Sequence, residues 1–412
     1  MIHAFDAISF AIYVGRMGRQ ITENQMLWAP LQPNNPSLTV PNGISSGTRI
    51  PELDGARGLA AFVVVVSHYF GEVEHGLGGL RIGWMGVSLF FVLSGFLIGS
   101  IILERRDSPN FFSVFYIRRA LRIFPVYFLI VTLTLGFLWV HGTTAWTGQP
   151  LPALSYLTFT QNFFMALREA DGTLWLLPTW TLAVEEQFYL TIPLIIVLLP
   201  TRRIPSAIVL GIAAFFVMRA TFFQMGHENA AQVLLVSSGH FLLVGVLAAL
   251  VHQRYTVSNT VLRFIQLVAI IGMTMTAWQT ARQTISLSTF FVLCPFLMSV
   301  LFACYMLLFS RSWRGLPFLG SPVWQALGTI SYCLYLIHQP VAGIMHGLIL
   351  GSRPDTATPS QILLTFAALF TSIGLAWISW VLLEQPLLRI GREWKYRSIG
   401  HTEIIQFNRS RD

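Results

Sequence analysis

Charge is what this sequence is short of. Only 11% of its 412 residues are Asp, Glu, Lys or Arg, less than half of the about 25% usual in soluble domains. With 54% hydrophobic residues and a mean hydropathy of +0.63, a soluble globular protein is excluded and an integral membrane protein is expected. Lysine is nearly absent: Lys395 stands against 25 arginines. The net charge of +8 falls between apolar runs, which reads as membrane topology and gives no reason to expect a nucleic-acid partner. Cysteine is scarce too. Cys294, Cys304 and Cys333 lie inside apolar segments without metal-ligand spacing and read as unpaired core thiols. There is no Walker loop, dinucleotide fingerprint, nucleophile elbow or HExxH. The histidines lack partners at zinc-ligand spacing, so no metal is expected. No internal repeat is visible, which speaks against a transporter built from inverted halves. The N-terminus lacks a basic stretch ahead of an apolar one, so no signal peptide is expected.

Long apolar runs are what the chain has in abundance. With about 20 apolar residues as the yardstick, ten spans are expected near Leu53–Phe70, Gly83–Leu103, Leu121–Val140, Trp180–Leu199, Ile204–Phe223, Val233–Val251, Val261–Thr280, Ile285–Phe309, Trp324–Leu350 and Ile362–Leu383. The seventh is the weakest, because Thr274, Thr276, Gln279 and Thr280 make its end polar. The expected architecture is an all-α polytopic bundle around a central cavity. With the N-terminus placed in the cytoplasm, 21 basic residues fall on the inner side and four (Arg81, Arg168, Arg282, Arg353) outside. Both termini are then cytoplasmic. Residues 1–50 read as an N-terminal extension or linker, with Met26 as an alternative start; 51–390 as the membrane domain; 391–412 as a basic tail. The outer loop Gly142–Thr179 carries Trp146, Tyr156, Asn162 and Trp175, suited to an interfacial belt or to a platform for an external sugar.

Against this apolar background four constellations stand out. Asp54-Gly-Ala-Arg57 is followed eleven residues later by His68 in the first span. Each charge near the centre of a span costs about 2.5–3.5 kcal/mol on insertion scales. At 100° per residue His68 lies within about 20° of Arg57, roughly 16 Å along the axis, so an acid, a base and an imidazole share one stripe. A neutral imidazole there can take a proton from an attacking hydroxyl. Next, Arg118, Arg119 and Arg122 lie three and four residues apart on one helical face. They suit either a basic anchor on lipid phosphates or the capture of a phosphorylated ligand. Third, adjacent Glu185 and Glu186 enter an apolar span about one turn from its outer end. Pointing about 100° apart, one can pair with an arginine such as Arg57 or Arg219 while the other faces substrate. Fourth, Tyr332, Tyr335 and His338 share the ninth span, where alone they read as glue between helices.

These blocks together resemble the acyltransferase-3 family of integral membrane acyltransferases. The resemblance rests on Glu52-Leu-Asp54-Gly-Ala-Arg57, the Arg57-to-His68 spacing, Gly86-Val-Ser-Leu-Phe-Phe-Val-Leu-Ser94-Gly95-Phe, Arg118-Arg119-Ala-Leu-Arg122-Ile-Phe-Pro125, Trp180 to Tyr189, Ile330 to Pro340, and Glu384-Gln-Pro386. It implies transfer of an acyl group, acetyl as a rule, from cytoplasmic acyl-CoA to a hydroxyl of an envelope or exported carbohydrate or glycolipid. By this resemblance His68 is catalytic, as general base or transient acyl carrier, with Arg57 its partner. Arg119 and Arg122 form the motif linked to CoA binding, and Glu185 matches the family's glutamate, with Glu186 of lesser weight. Asp54 joins the catalytic set, Arg118 the CoA set, and Tyr335 and His338 the cavity. The implied setting is the inner membrane of a bacterium. Some family members carry a fused extracellular hydrolase-like domain. These residues show none, so the membrane domain is expected to deliver to the acceptor itself or to a separate periplasmic acyl-relay partner. A proton-coupled transporter or exporter of a glycan is the rival reading.

The charge asymmetry makes a direct prediction. A reporter fluorescent only in the cytoplasm, fused at the C-terminus, is bright; one active only outside the cytoplasm, inserted beside Arg353, is active. The opposite pair of signals reverses the orientation.

Overall fold

The computed structural model describes residues 50–144, 146–310 and 316–397. The expected linker, the start at Met26 and the tail beyond residue 397 lie outside these. Pro51, with its φ already helical and no N–H to satisfy, opens α1 (Pro51–Val66), which widens without a break into a π turn at Ser67–Gly71. The chain continues through α2 (Gly83–Arg105), α3 (Phe111–His141), α4 (Thr179–Leu198), α5 (Ile204–Gln224), α6 (Leu235–Arg254), α7 (Asn259–Ala281), α8 (Leu287–Phe309), α9 (Pro322–Leu350) and α10 (Pro359–Ser379). A second π turn at Trp380–Glu384 leads into the amphipathic α11 (Gln385–Glu393). No strand occurs among the described residues.

The expected all-α polytopic fold is what the chain adopts. Nine helices among the described residues are long and apolar enough to cross a membrane, α7 included. The helix built from α1 and its π turn is the tenth of the expected spans. It falls outside the nine because Glu52, Asp54 and Arg57 crowd its first turns. The third helix begins ten residues before the apolar run at Leu121, so the arginine triplet sits inside a helix rather than ahead of one.

Two helix pairs approach closely enough to bring backbone onto backbone. In α1 and α9, a Cβ on Gly328 would fall on the carbonyl oxygen of Asp54, and one on Gly58 on that of Trp324. In α2 and α6, Gly95 and Gly245 meet the carbonyls of Leu242 and Val92 in the same way. Small residues at such contacts replace the hydrophobic drive that lipid cannot supply. The first pair sets α1 beside α9 over their length and carries His68 to His338. Gly328→Ala is therefore expected to destabilise the protein by about 1–3 kcal/mol, read as a lower thermal midpoint in detergent, and to reduce activity with it. An unchanged midpoint would show that this contact is not tight.

Candidate active site

His68 stands in the π turn that closes α1. Such wide turns recur at functional sites, and here the turn brings the imidazole to α9. His68 Nδ1 lies 2.7 Å from His338 Nε2. The other nitrogen of His338, Nδ1, lies 3.2 Å from the Leu334 carbonyl, which can only accept. The hydrogen-bond pattern assigns the tautomers in turn: His338 carries its proton on Nδ1, its Nε2 accepts from His68 Nδ1–H, and His68 Nε2 keeps the lone pair. The Tyr69 hydroxyl donates to the His338 carbonyl at 2.6 Å and meets Ser372 Oγ at 2.9 Å, pinning the turn to α9 and α10.

Glu72 completes this first station. Its Oε2 lies 3.5 Å from His68 Nε2, where a carboxylate stabilises the imidazolium formed when that nitrogen takes a proton. Its Oε1 accepts from Ser67 Oγ at 2.7 Å, and Ser67 Oγ accepts from the Gly83 N–H at 2.9 Å. The side chains of His68 and Glu72 stay 15% and 44% exposed. The loop beyond is latched to the α9–α10 connection. His75 Nδ1 pairs with Asp355 Oδ2 at 2.7 Å, and the His75 N–H donates to Asp355 Oδ1 at 2.9 Å. That hydrogen bond and the carboxylate charge raise the His75 pKa. Glu74, His75 and Asp355 are also near enough to share an ion, but His75 and Asp355 already satisfy each other.

The second station is a cavity of about 80 Å³ between α1, α2, α3, α4 and α9. Arg57, Arg119, Arg122, Glu185, Tyr189 and Tyr332 line it. The Arg119 guanidinium lies over the rings of Phe115 and Tyr189, at 6.0 and 5.8 Å. Ser94 Oγ and the Tyr189 hydroxyl are 2.8 Å apart beside Glu185. Neither Arg119 nor Arg122 makes a hydrogen bond or ion pair with a described residue. Both guanidiniums keep donor capacity directed at the cavity.

The predicted residues thus divide between two stations. Arg57 does not reach His68. It lines that cavity and pairs with Asp54 at 3.7 Å, while His68 stands in the π turn beside His338. Arg118 turns away: its Nε and Nη2 donate to the Trp394 carbonyl at 3.0 and 2.6 Å, and its guanidinium lies 5.3 Å from the Tyr396 ring. It staples the segment after α11. Glu186 is outside the cavity lining, and its buried Oε1 has no hydrogen-bond partner among the described residues. Arg219 pairs with neither glutamate; it donates to the carbonyls of Ala231 (2.7 Å) and Phe291 (3.1 Å). Tyr335 sits between the stations, with its ring 6.1 Å from His338 and 5.6 Å from Phe90, itself a cavity residue. Glu72, Ser67, Ser94, Tyr189 and Tyr332 were not foreseen as site residues. Only Glu72, one helical turn after His68, had a spacing that pointed to it.

A family model, described as an acyltransferase domain, matches residues 50–381. The chain belongs to the acyltransferase-3 family. The O-acetyltransferase OatA of Staphylococcus aureus is 24% identical over 373 residues, which are 83% of this chain and 58% of the relative. YrhL of Bacillus subtilis, provisionally named a peptidoglycan O-acetyltransferase, is 30% identical over 229 residues, 51% of this chain and 34% of the relative. The chain thus spans between a third and three fifths of the length of these relatives. No solved structure matches it.

Glu72 gives this site a testable feature. Glu72→Gln keeps an acceptor for Ser67 but removes the charge facing His68. It is expected to lower kcat on the order of tenfold, part of the 10²–10⁴ that a positioned base supplies, with KM for the donor unchanged. Wild-type kcat in Glu72→Gln would remove Glu72 from the site.

Proposed function

We propose that this acyltransferase moves an acetyl or similar acyl group from cytoplasmic acyl-CoA to a hydroxyl of a bacterial cell-envelope carbohydrate. The observation that carries the donor side is the pair Arg119 and Arg122. Their guanidiniums line a cavity and make no hydrogen bond or ion pair with a described residue. Guanidinium forks match phosphate oxygens, and the phosphates of CoA are the ligand that an acyl donor brings. Cavity and dyad are joined along α9 by Tyr332, Tyr335 and His338 on successive turns, about 9 Å from first to last at 1.5 Å per residue. The thioester arm follows that course from the arginines toward His68.

At His68 the acceptor hydroxyl gives its proton to Nε2 as its oxygen attacks the acyl carbon. Glu72 stabilises the imidazolium while the bond between acyl carbon and sulfur breaks. The imidazolium then returns the proton to the departing thiolate, and ester and free thiol are left. The carbohydrate acceptor is supported by the relatives' names: O-acetyltransferase for one and peptidoglycan O-acetyltransferase for the other. Arginine excess on the proposed inner side supports the direction, with the donor inside and His68 near the outer face.

The test supplies membranes with labelled acetyl-CoA and the host's envelope glycan. His68→Ala is expected to lose about 10²-fold or more of the label. Arg122→Ala is expected to raise KM for acetyl-CoA about tenfold, as the loss of one charge-assisted bond does, with little change in kcat. Undiminished labelling by His68→Ala would overturn the assignment of the base. An unchanged KM in Arg122→Ala would overturn the donor site.

A further inference from the structure

A second cavity, of about 410 Å³, lies on the outer loops, apart from both stations. Trp146 and Gln149 line it from the loop after α3, Arg168 and Asp171 from the approach to α4, and Arg353 from the loop after α9. It is a built feature. The Trp146 ring packs where a Cβ on Gly347 would stand, and 5.7 Å from the ring of Trp175, which packs the same way on Gly343. Thr173 Oγ1 donates to the Thr147 carbonyl at 2.6 Å and ties the two walls together. Gly148, Glu169 and Gly172 hold positive φ of 71°, 46° and 75°, so the loop path is one that most residues would not adopt unaided.

The lining specifies a ligand class. An indole suits the apolar face of a pyranose ring. Gln149 and Asp171 offer the mixed donors and acceptors that sugar hydroxyls need. Arg168 and Arg353 bring guanidiniums to the lining beside the Asp171 carboxylate, and a guanidinium fork suits a ligand carrying a carboxylate or phosphate. Its position separates it from the donor site. Along α9 the order is Tyr332 at the second station, His338 at the dyad, then Gly347 beneath Trp146, about 13 Å beyond His338 at 1.5 Å per residue. Arg353 is two residues from Asp355, whose carboxylate holds His75 in the loop that follows Glu72.

We propose that this outer pocket is a binding subsite for an anionic saccharide, holding an acidic sugar of the acceptor while a neighbouring hydroxyl reaches His68. The proposal rests on the acyl-transfer reading for its purpose, though not for its binding chemistry. The full chain in nanodiscs is titrated with a uronic-acid oligosaccharide and with a neutral oligosaccharide of the same length, followed by tryptophan fluorescence. Expected are tighter binding of the acidic probe and a Kd weakened about tenfold in Arg168→Gln. Gln149→Ala weakens both probes, and the Kd for acetyl-CoA is unchanged in both variants. Equal Kd values for the two probes, no binding of either, or an acidic-probe Kd untouched in Arg168→Gln would overturn the proposal. The two readings fail separately. Binding that depends on Arg168 without acyl transfer sinks the proposed function and keeps the subsite. Transfer that depends on His68 but is indifferent to Arg168 and Gln149 does the reverse.

Discussion

The hydrogen bond between His68 and His338 is the contact on which the rest of the site turns. It joins two residues 270 positions apart and exists only because α1 and α9 touch backbone to backbone at Gly58 and Gly328. A side chain at either glycine would push the helices apart. The Leu334 carbonyl fixes one end of the chain of protons and Glu72 waits at the other. The lone pair of His68 is thus oriented by hydrogen bonds before any ligand arrives, the form of preorganisation that catalysis uses best.

The same economy governs the charges. Three guanidiniums in an apolar bundle are costly, and the chain gathers them around one cavity instead of scattering them. Asp54 takes Arg57, Glu185 shares the cavity wall, and Glu384, in the second π turn, lies within electrostatic range of Arg122. Arg118 and Arg219 show the contrasting use, each satisfied by backbone carbonyls and each fastening structure. A cation engaged by the fold and a cation directed into a cavity look alike in sequence. Their acceptors distinguish them.

This contrast explains what could be read in advance. Hydropathy located the helices to within a few residues in most cases, because a span has to satisfy its own backbone and cover itself with apolar side chains. The start of α3 escaped, since Phe111–Leu121 is an amphipathic extension rather than an apolar run. Helical spacing set Asp54 and Arg57 one turn apart and drew a stripe from them to His68. It could not show that the stripe passes two separate neighbours, with arginines of α3 at one end and His338 at the other. Arg118 failed for the same reason: a spacing rule says which residues share a face and nothing of what that face meets. Glu72 stands just past the π turn, and its four-residue spacing from His68 was the one sign of it.

The proposed chemistry requires that His68 present Nε2, unprotonated, as the base. Histidine nitrogen NMR on isotope-labelled protein in lipid, with His68 assigned by comparison with His68→Ala, tests this most directly. A proton on His68 Nδ1, hydrogen-bonded to His338 Nε2, and a bare Nε2 are expected. A His68 protonated on Nε2, with its lone pair on Nδ1, would contradict it.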